Sequence, residues 1–360
     1  MLALRSIYEG VALMKSVRVA TIAVLVFSLM APAPAGALPK GTEARQWATG
    51  LSFGIDLAWV KGTNKMFVTE KDGRIRVIVG GNILGRPCAN LDVDTSGERG
   101  LLGISLDPNY SSNKRLYVYY TNASPLDNRV ARFRVANNRC RDRKVLLKGL
   151  SAASSGYHNG GQLEFVGGKL LVAVGDAHSP SEAQDTNSRL GKILRINPDG
   201  SIPSDNPFNN AVWSYGHRNP FGLAHRPGTN RVYVSENGPN CDDELNFIRK
   251  GRNYGWGPNY QCGTAGVGSN PKAPMRRWTD TIVPTDPTWY AGRMRSLKGD
   301  LYMGDYNGRL HRLILNDRGN KVRKDRIIHQ PGSGIIDTTT GPGRWLYFLT
   351  ANTVYRIVKS

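Results

Sequence analysis

His158 stands in Tyr157-His158-Asn159-Gly160-Gly161-Gln162-Leu163. Imidazole titrates nearest neutral pH, so it is the natural general base, and the paired glycines let a ligand or a second backbone approach closely. Val174-Gly175-Asp176 ends the next apolar run. An Asp there can accept one ring N–H, fix the tautomer and leave the other nitrogen as the base. His217-Arg218-Asn219-Pro220 sets two donors before a proline-fixed turn. They can meet an anion or a carbonyl, or simply tie the turn. The segment from Glu236 to Glu244 holds four carboxylates (Glu236, Asp242, Asp243 and Glu244) in an otherwise basic chain. A hard cation such as Ca²⁺ would neutralise them; the alternative is a solvated acidic loop. Glu98, in Gly97-Glu98-Arg99-Gly100-Leu101-Leu102-Gly103, either faces a central site or pairs with Arg99. P-loop, H-E-x-x-H and G-x-S-x-G patterns are absent, so nucleotide hydrolysis, zinc proteolysis and α/β-hydrolase chemistry have no handle.

The elements that must position these groups recur. An apolar-aromatic strand, a polar turn and a second strand, often with Arg beside an apolar residue, start at Met66, Leu116, Leu170, Arg231, Asp300 and Trp345. β-branched and aromatic residues bounded by Gly, Pro, Asn and Asp read as strands. Six such units, each too small to bury both faces alone, predict an all-β, six-bladed β-propeller, whose blades cover one another. With 41 Gly and 20 Pro in 360 residues, a mostly helical fold is disfavoured. The long connections 175–190 and 236–270 are expected to crowd one face and carry function.

Residues 1–37 read as a secretory signal, with Lys15 and Arg18 before the apolar run Val19 to Met30 and Ala35-Gly36-Ala37 as the cleavage site. Met14 is the natural initiator. Residues 38–360 are then one propeller domain, secreted or held in the periplasm or cell envelope, and no later apolar run reaches the length of a membrane helix. Four cysteines in an exported chain make two disulfides. Of three connectivities, Cys88–Cys140 and Cys241–Cys262 close the shortest loops. The net charge of +20 permits attraction to an anionic envelope polymer, with no sign of specific nucleic-acid recognition.

Together and in this order, Gly97–Asp107, His158–Leu163, Gly175-Asp176, Arg189–Asn206, Gly216–Leu223 and Ser235–Trp256 resemble the soluble quinoprotein glucose/sorbosone dehydrogenase family, including its aldose sugar dehydrogenases. The resemblance implies a six-bladed propeller and pyrroloquinoline quinone (PQQ) held by Ca²⁺. It also implies a sugar as hydride donor and a separate electron acceptor. By position, His158 matches the base that takes the proton from the anomeric hydroxyl, and Asp176 the acid that orients it. Arg218 matches a residue near substrate and cofactor, Asn219 a quinone-binding amide, and Glu98 a substrate contact. Gly238 and Pro239 match the backbone carbonyls that ligate the cofactor's Ca²⁺; Glu244 and Tyr254 match a further Ca²⁺ site.

Three departures stand out. Tyr306 occupies the position of a quinone-binding Lys. Gly334-Ile335-Ile336-Asp337 keeps the Asp of an Arg-x-Arg-Asp run and lacks both arginines. Tyr157 replaces a polar residue before the base. Arg293, Arg295, Lys298 and Arg309 are the nearby cations available as substitutes. The expected function is a secreted, PQQ- and Ca²⁺-dependent aldose dehydrogenase. The alternative is a non-catalytic propeller of the same family that binds a polysaccharide or protein; a lactonase-like hydrolase is a third reading.

Overall fold

The computed structural model describes residues 36–360. The signal segment up to Ala35, with its start at Met14 and the first residue of its cleavage motif, lies outside the described residues. The recurring two-strand units are the middle strands of six sheets. Each sheet adds an innermost strand before its pair, and these are Gly54–Trp59, Leu101–Leu106, Gly160–Val166, Pro220–His225, Pro284–Trp289 and Ile335–Thr340. Each innermost strand neighbours the next, and the sixth returns to the first. The sheets therefore form the expected six-bladed propeller around a central axis.

The ring closes by exchange of strands from the two ends of the chain. Thr42–Thr49 is the outermost strand of the sixth blade, paired antiparallel with Thr353–Lys359. The ladder runs from Thr42 opposite Lys359 to Thr49 opposite Thr353.

The apolar core is not central. It is divided into six clusters, one between each pair of adjacent blades. Along Arg115–Asn122, Leu116, Val118 and Tyr120 pack toward the first blade, while Tyr117 and Tyr119 pack toward the third. Successive strand side chains point to opposite faces, and here both faces are covered. That is why the middle strands read as continuous apolar runs. Cys88–Cys140 ties the first blade to the second, and Cys241–Cys262 ties the short turn before Asp243–Ile248 to the long connection after it; both are the expected pairs. Among the described residues no helix is long and apolar enough to cross a membrane.

Candidate active site

The site lies at the end of the axis where the innermost strands begin. His158 sits immediately before Gly160–Val166, in the left-handed region at φ 59°. Its ring Nδ1 is 2.7 Å from Asp176 Oδ1. Asp176 is fully buried and its carboxylate is saturated. Oδ1 also accepts the His178 backbone N–H at 2.9 Å, and Oδ2 accepts Trp256 Nε1–H at 2.7 Å. A carboxylate so held stays acceptor-only, which assigns the His158 proton to Nδ1 and leaves Nε2 as the basic nitrogen. The His158 ring stacks on that of His178, with centroids 3.8 Å apart. Burial and the neighbouring His158 lower the His178 pKa from its ordinary value, so it stays neutral at neutral pH.

Glu98 faces this centre and does not pair with Arg99, whose guanidinium binds Asp94. Glu98 Oε2 accepts the His158 backbone N–H at 2.9 Å and Asn219 Nδ2–H at 3.1 Å. Asn219 Oδ1 in turn accepts the Gly160 N–H at 3.1 Å. Glu98, His158 and Asn219 stand just before the innermost strands of the second, third and fourth blades, so three blades share one hydrogen-bonded ring. His217 is a turn tie: its ring nitrogens lie 2.9 Å from Ser214 Oγ and 2.9 Å from Glu236 Oε2.

Beside the His158 loop opens a cavity of about 400 Å³. Phe53, Phe221, Tyr157 and Tyr306 give it aromatic walls, and Glu98, Asn237 and Lys71 give it polar ones. Tyr157 and Tyr306 are half exposed at its mouth. The cations expected from the fifth blade do not reach it. Arg293, Arg295 and Lys298 fall in the connection between Pro284–Trp289 and Leu301–Asp305, at the opposite end of the axis, where Arg293 packs over Trp345. Arg309 is on the correct end but is paired with Asp305. Lys71, absent from the sequence reading, is the cation that lines the cavity.

Gly238, Pro239, Glu244 and Tyr254 come together around a separate cavity of about 20 Å³, which Glu236, Asp242 and Arg218 also line. That is room for one ion or water. Burial, then the Glu236 charge, pushes the Glu244 carboxyl up to about 8. The Gly238 carbonyl already accepts Arg218 Nη1–H at 2.7 Å, and the Asn237 carbonyl accepts the same nitrogen at 3.0 Å. Two buried atoms here, Arg218 Nε and Asn237 Oδ1, have no hydrogen-bond partner among the described residues.

Glu236 was singled out in the sequence as one of the four clustered carboxylates; His178, Trp256 and Lys71 were not. Only His178 carried a local signal, two residues beyond Asp176. The others reach the site from distant loops.

Comparison with known proteins agrees with this architecture. Residues 51–359 match the Glucose / Sorbosone dehydrogenase family. The aldose sugar dehydrogenase YliI of Escherichia coli is 30% identical over 330 residues, covering 84% of this chain and 88% of the relative. A solved putative oxidoreductase (glucose dehydrogenase) from Thermus thermophilus superposes with TM-score 0.79 at 32% identity, over 88% of this chain and all of that one. The PQQ-bound aldose sugar dehydrogenase of Streptomyces coelicolor gives TM-score 0.75 at 28% identity, over 89% and 99% of the two chains. With one family spanning all six blades and His158, Asp176, Arg218 and Asn219 gathered at one end of their ring, the chain belongs to the glucose/sorbosone dehydrogenase family.

Proposed function

We propose that this protein is a secreted aldose dehydrogenase that uses PQQ and Ca²⁺, with His158 as the general base. The observation that carries this reading is the 2.7 Å His158–Asp176 pair beside an aromatic-walled cavity. When bound, PQQ supplies the two-electron acceptor for the hydride that leaves the sugar C1. The side chains present suit such a planar, triply carboxylated group. The aromatic walls match its faces, Lys71 and Arg218 are cations for its carboxylates, and Asn219 is an amide donor. The unpartnered Arg218 Nε and Asn237 Oδ1 are polar atoms still lacking a ligand.

The protein's own part is positional and protonic. His158 Nε2 takes the proton of the anomeric hydroxyl as C1 gives up its hydride, so the sugar leaves as the lactone. Asp176 stabilises the imidazolium through Nδ1–H. Glu98 fixes the His158 backbone and stands as the contact for sugar hydroxyls. The Gly238 and Pro239 carbonyls are the oxygen donors for the cofactor's Ca²⁺, and Glu244 and Tyr254 mark a further Ca²⁺ site. Using the Gly238 carbonyl requires Arg218 to turn from it, which frees the guanidinium for the cavity. A separate electron acceptor reoxidises the cofactor, and the basic surface suits an anionic envelope polymer.

The test adds PQQ and Ca²⁺ to purified protein and follows dye reduction with aldoses, with cofactor binding measured separately by calorimetry. Saturable binding at micromolar PQQ and aldose-dependent turnover are expected. His158→Ala should lower turnover by at least ~10²-fold with PQQ binding and fold retained. Tyr306, Gly334 and Ile336, at the positions where the resembled family carries cations, favour the second reading, a non-catalytic propeller for a polysaccharide or protein. Absence of PQQ binding would leave that one standing.

A further inference from the structure

The innermost strands carry a second constellation that this chemistry does not use. The third residue of each is, in blade order, Asp56, Gly103, Gln162, Gly222, Asp286 and Asp337. Propeller symmetry brings these equivalent positions onto one ring around the axis. Each innermost strand has a register irregularity at or spanning this position. Carboxylate oxygens of Asp56, Asp286 and Asp337 lie within 4.8 Å of one another, and all three residues are buried.

Each acid does one structural job. Asp56 accepts the Leu57 and Ile104 N–H groups at 2.7 Å. Asp286 accepts the Leu223 N–H at 2.6 Å, and Asp337 Oδ2 accepts the Leu57 N–H at 3.0 Å. The bonds from Ile104 to Asp56, Leu223 to Asp286 and Leu57 to Asp337 stitch blade to blade, whereas Leu57 to Asp56 stays within one strand; all four need only a carbonyl-type oxygen. Gln162 Oε1 accepts the neighbouring Leu163 N–H at 2.9 Å, the same within-strand bond that Asp56 makes to Leu57, with a neutral amide. Stitching therefore explains the acceptors and not the three negative charges. One oxygen, Asp337 Oδ1, is buried and has no partner among the described residues.

We propose that Asp56, Asp286 and Asp337 together bind one hard divalent cation, Ca²⁺ by donor chemistry, on the propeller axis. An all-oxygen, carboxylate-rich donor set selects Ca²⁺-like ions, and oxygens within 4.8 Å of one another can share a centre at the ~2.4 Å of a Ca–O bond. The burial of three like charges demands compensation, and no lysine or arginine stands among the main influences on them. Entry is open from two sides. Asp56, Gln162 and Asp286 line both the 400 Å³ upper cavity and a 200 Å³ cavity at the opposite end. The ring is distinct from the Gly238–Glu244 cavity, which shares none of its residues.

The test uses the full chain without PQQ, so its outcome is independent of the dehydrogenase reading. Protein is equilibrated with Ca²⁺, desalted and analysed for bound metal beside Asp337→Asn and Asp286→Asn, which keep a stitching oxygen. Each variant is expected to hold one Ca²⁺ fewer per chain than the parent, and to lose the part of the parent's Tm that a chelator removes. Equal metal content in parent and variants overturns the proposal. So does a Tm that rises in Asp337→Asn while the parent ignores chelator, the behaviour of carboxyls sharing protons. Should the variants not fold, crystals of the parent grown with Ca²⁺ decide. An anomalous peak about 2.3–2.6 Å from the three carboxylates supports the ion, and its absence overturns it.

Discussion

His158 is held from three directions: Asp176 fixes the ring, Glu98 fixes the backbone and His178 covers one ring face. Each support acts on a different atom, so each has a different signature. Asp176→Asn keeps the size of the side chain but offers an N–H where an acceptor is required. The imidazole then turns or changes tautomer, and Nε2 is no longer the basic nitrogen. A fall in kcat of roughly 10²–10⁴-fold is expected, with KM for the sugar changed far less. Steady-state kinetics on the PQQ-loaded protein measure it; an unchanged kcat would remove Asp176 from the proton path.

At the scale of elements, what matters is how closely neighbouring segments approach. Gly175 ends the strand that delivers Asp176, and a Cβ there would sit 2.0 Å from the His158 carbonyl oxygen. Gly175→Ala must push the His158 loop away from Asp176. A displacement of about 1 Å costs ~10²-fold in turnover. The destabilisation expected from overpacking is about 1–3 kcal/mol, read from urea melts. The fifth blade has a tie of another kind. His311 lies between Asp325 and Asp305, at 2.8 and 3.1 Å, and joins three strands. Burial lowers its pKa, but hydrogen bonds to Asp305 and Asp325 outweigh that and leave it above the ordinary 6.5. The folded state therefore holds this proton more tightly than the unfolded chain. The stabilisation is complete below pH 6.5 and is lost as pH rises through the raised folded pKa. His311→Gln should flatten that part of the stability–pH curve above pH 6.5, measured by denaturant midpoints. An identical slope in the variant would show that the proton is not held there.

For the whole molecule, closure is the controlling feature. The six apolar clusters lie between blades, so each needs both of its blades, and the one between the sixth and first is complete only when the ring is closed. Thr42–Thr49 supplies the last strand, and its Trp47 and Ala48 complete the cluster between the sixth and first blades. Removing residues through Thr49 exposes the edge of Thr353–Lys359 and uncovers that cluster. A loss of at least ~3 kcal/mol is expected, the order of truncating one buried aromatic, with aggregation through the bare edge. Thermal melting and size-exclusion chromatography of the shortened chain test this.

Much of this was legible in the sequence, for a local reason. The middle two strands of every blade are buried on both faces, so their residue types alone mark them, and six repeats of that mark imply the ring. Both cysteine pairs were readable from the shortest loops, and the segments bearing His158, Asp176, Arg218 and Asn219 from their resemblance to a known family. The innermost strands were not: Gly54–Trp59, Pro284–Trp289 and Ile335–Thr340 mix Gly, Pro, Asp and Thr without alternation, because they face an axis and not a core. Tertiary structure alone decided which cations reach the cavity, sending Arg293, Arg295 and Lys298 to the far end and bringing Lys71 near. It also joined Asp56 to Asp337, whose positions stand 281 residues apart in the chain and meet only because the last blade packs on the first. Symmetric closure superimposes equivalent positions of distant repeats, and no window of sequence shorter than the whole ring contains that relation.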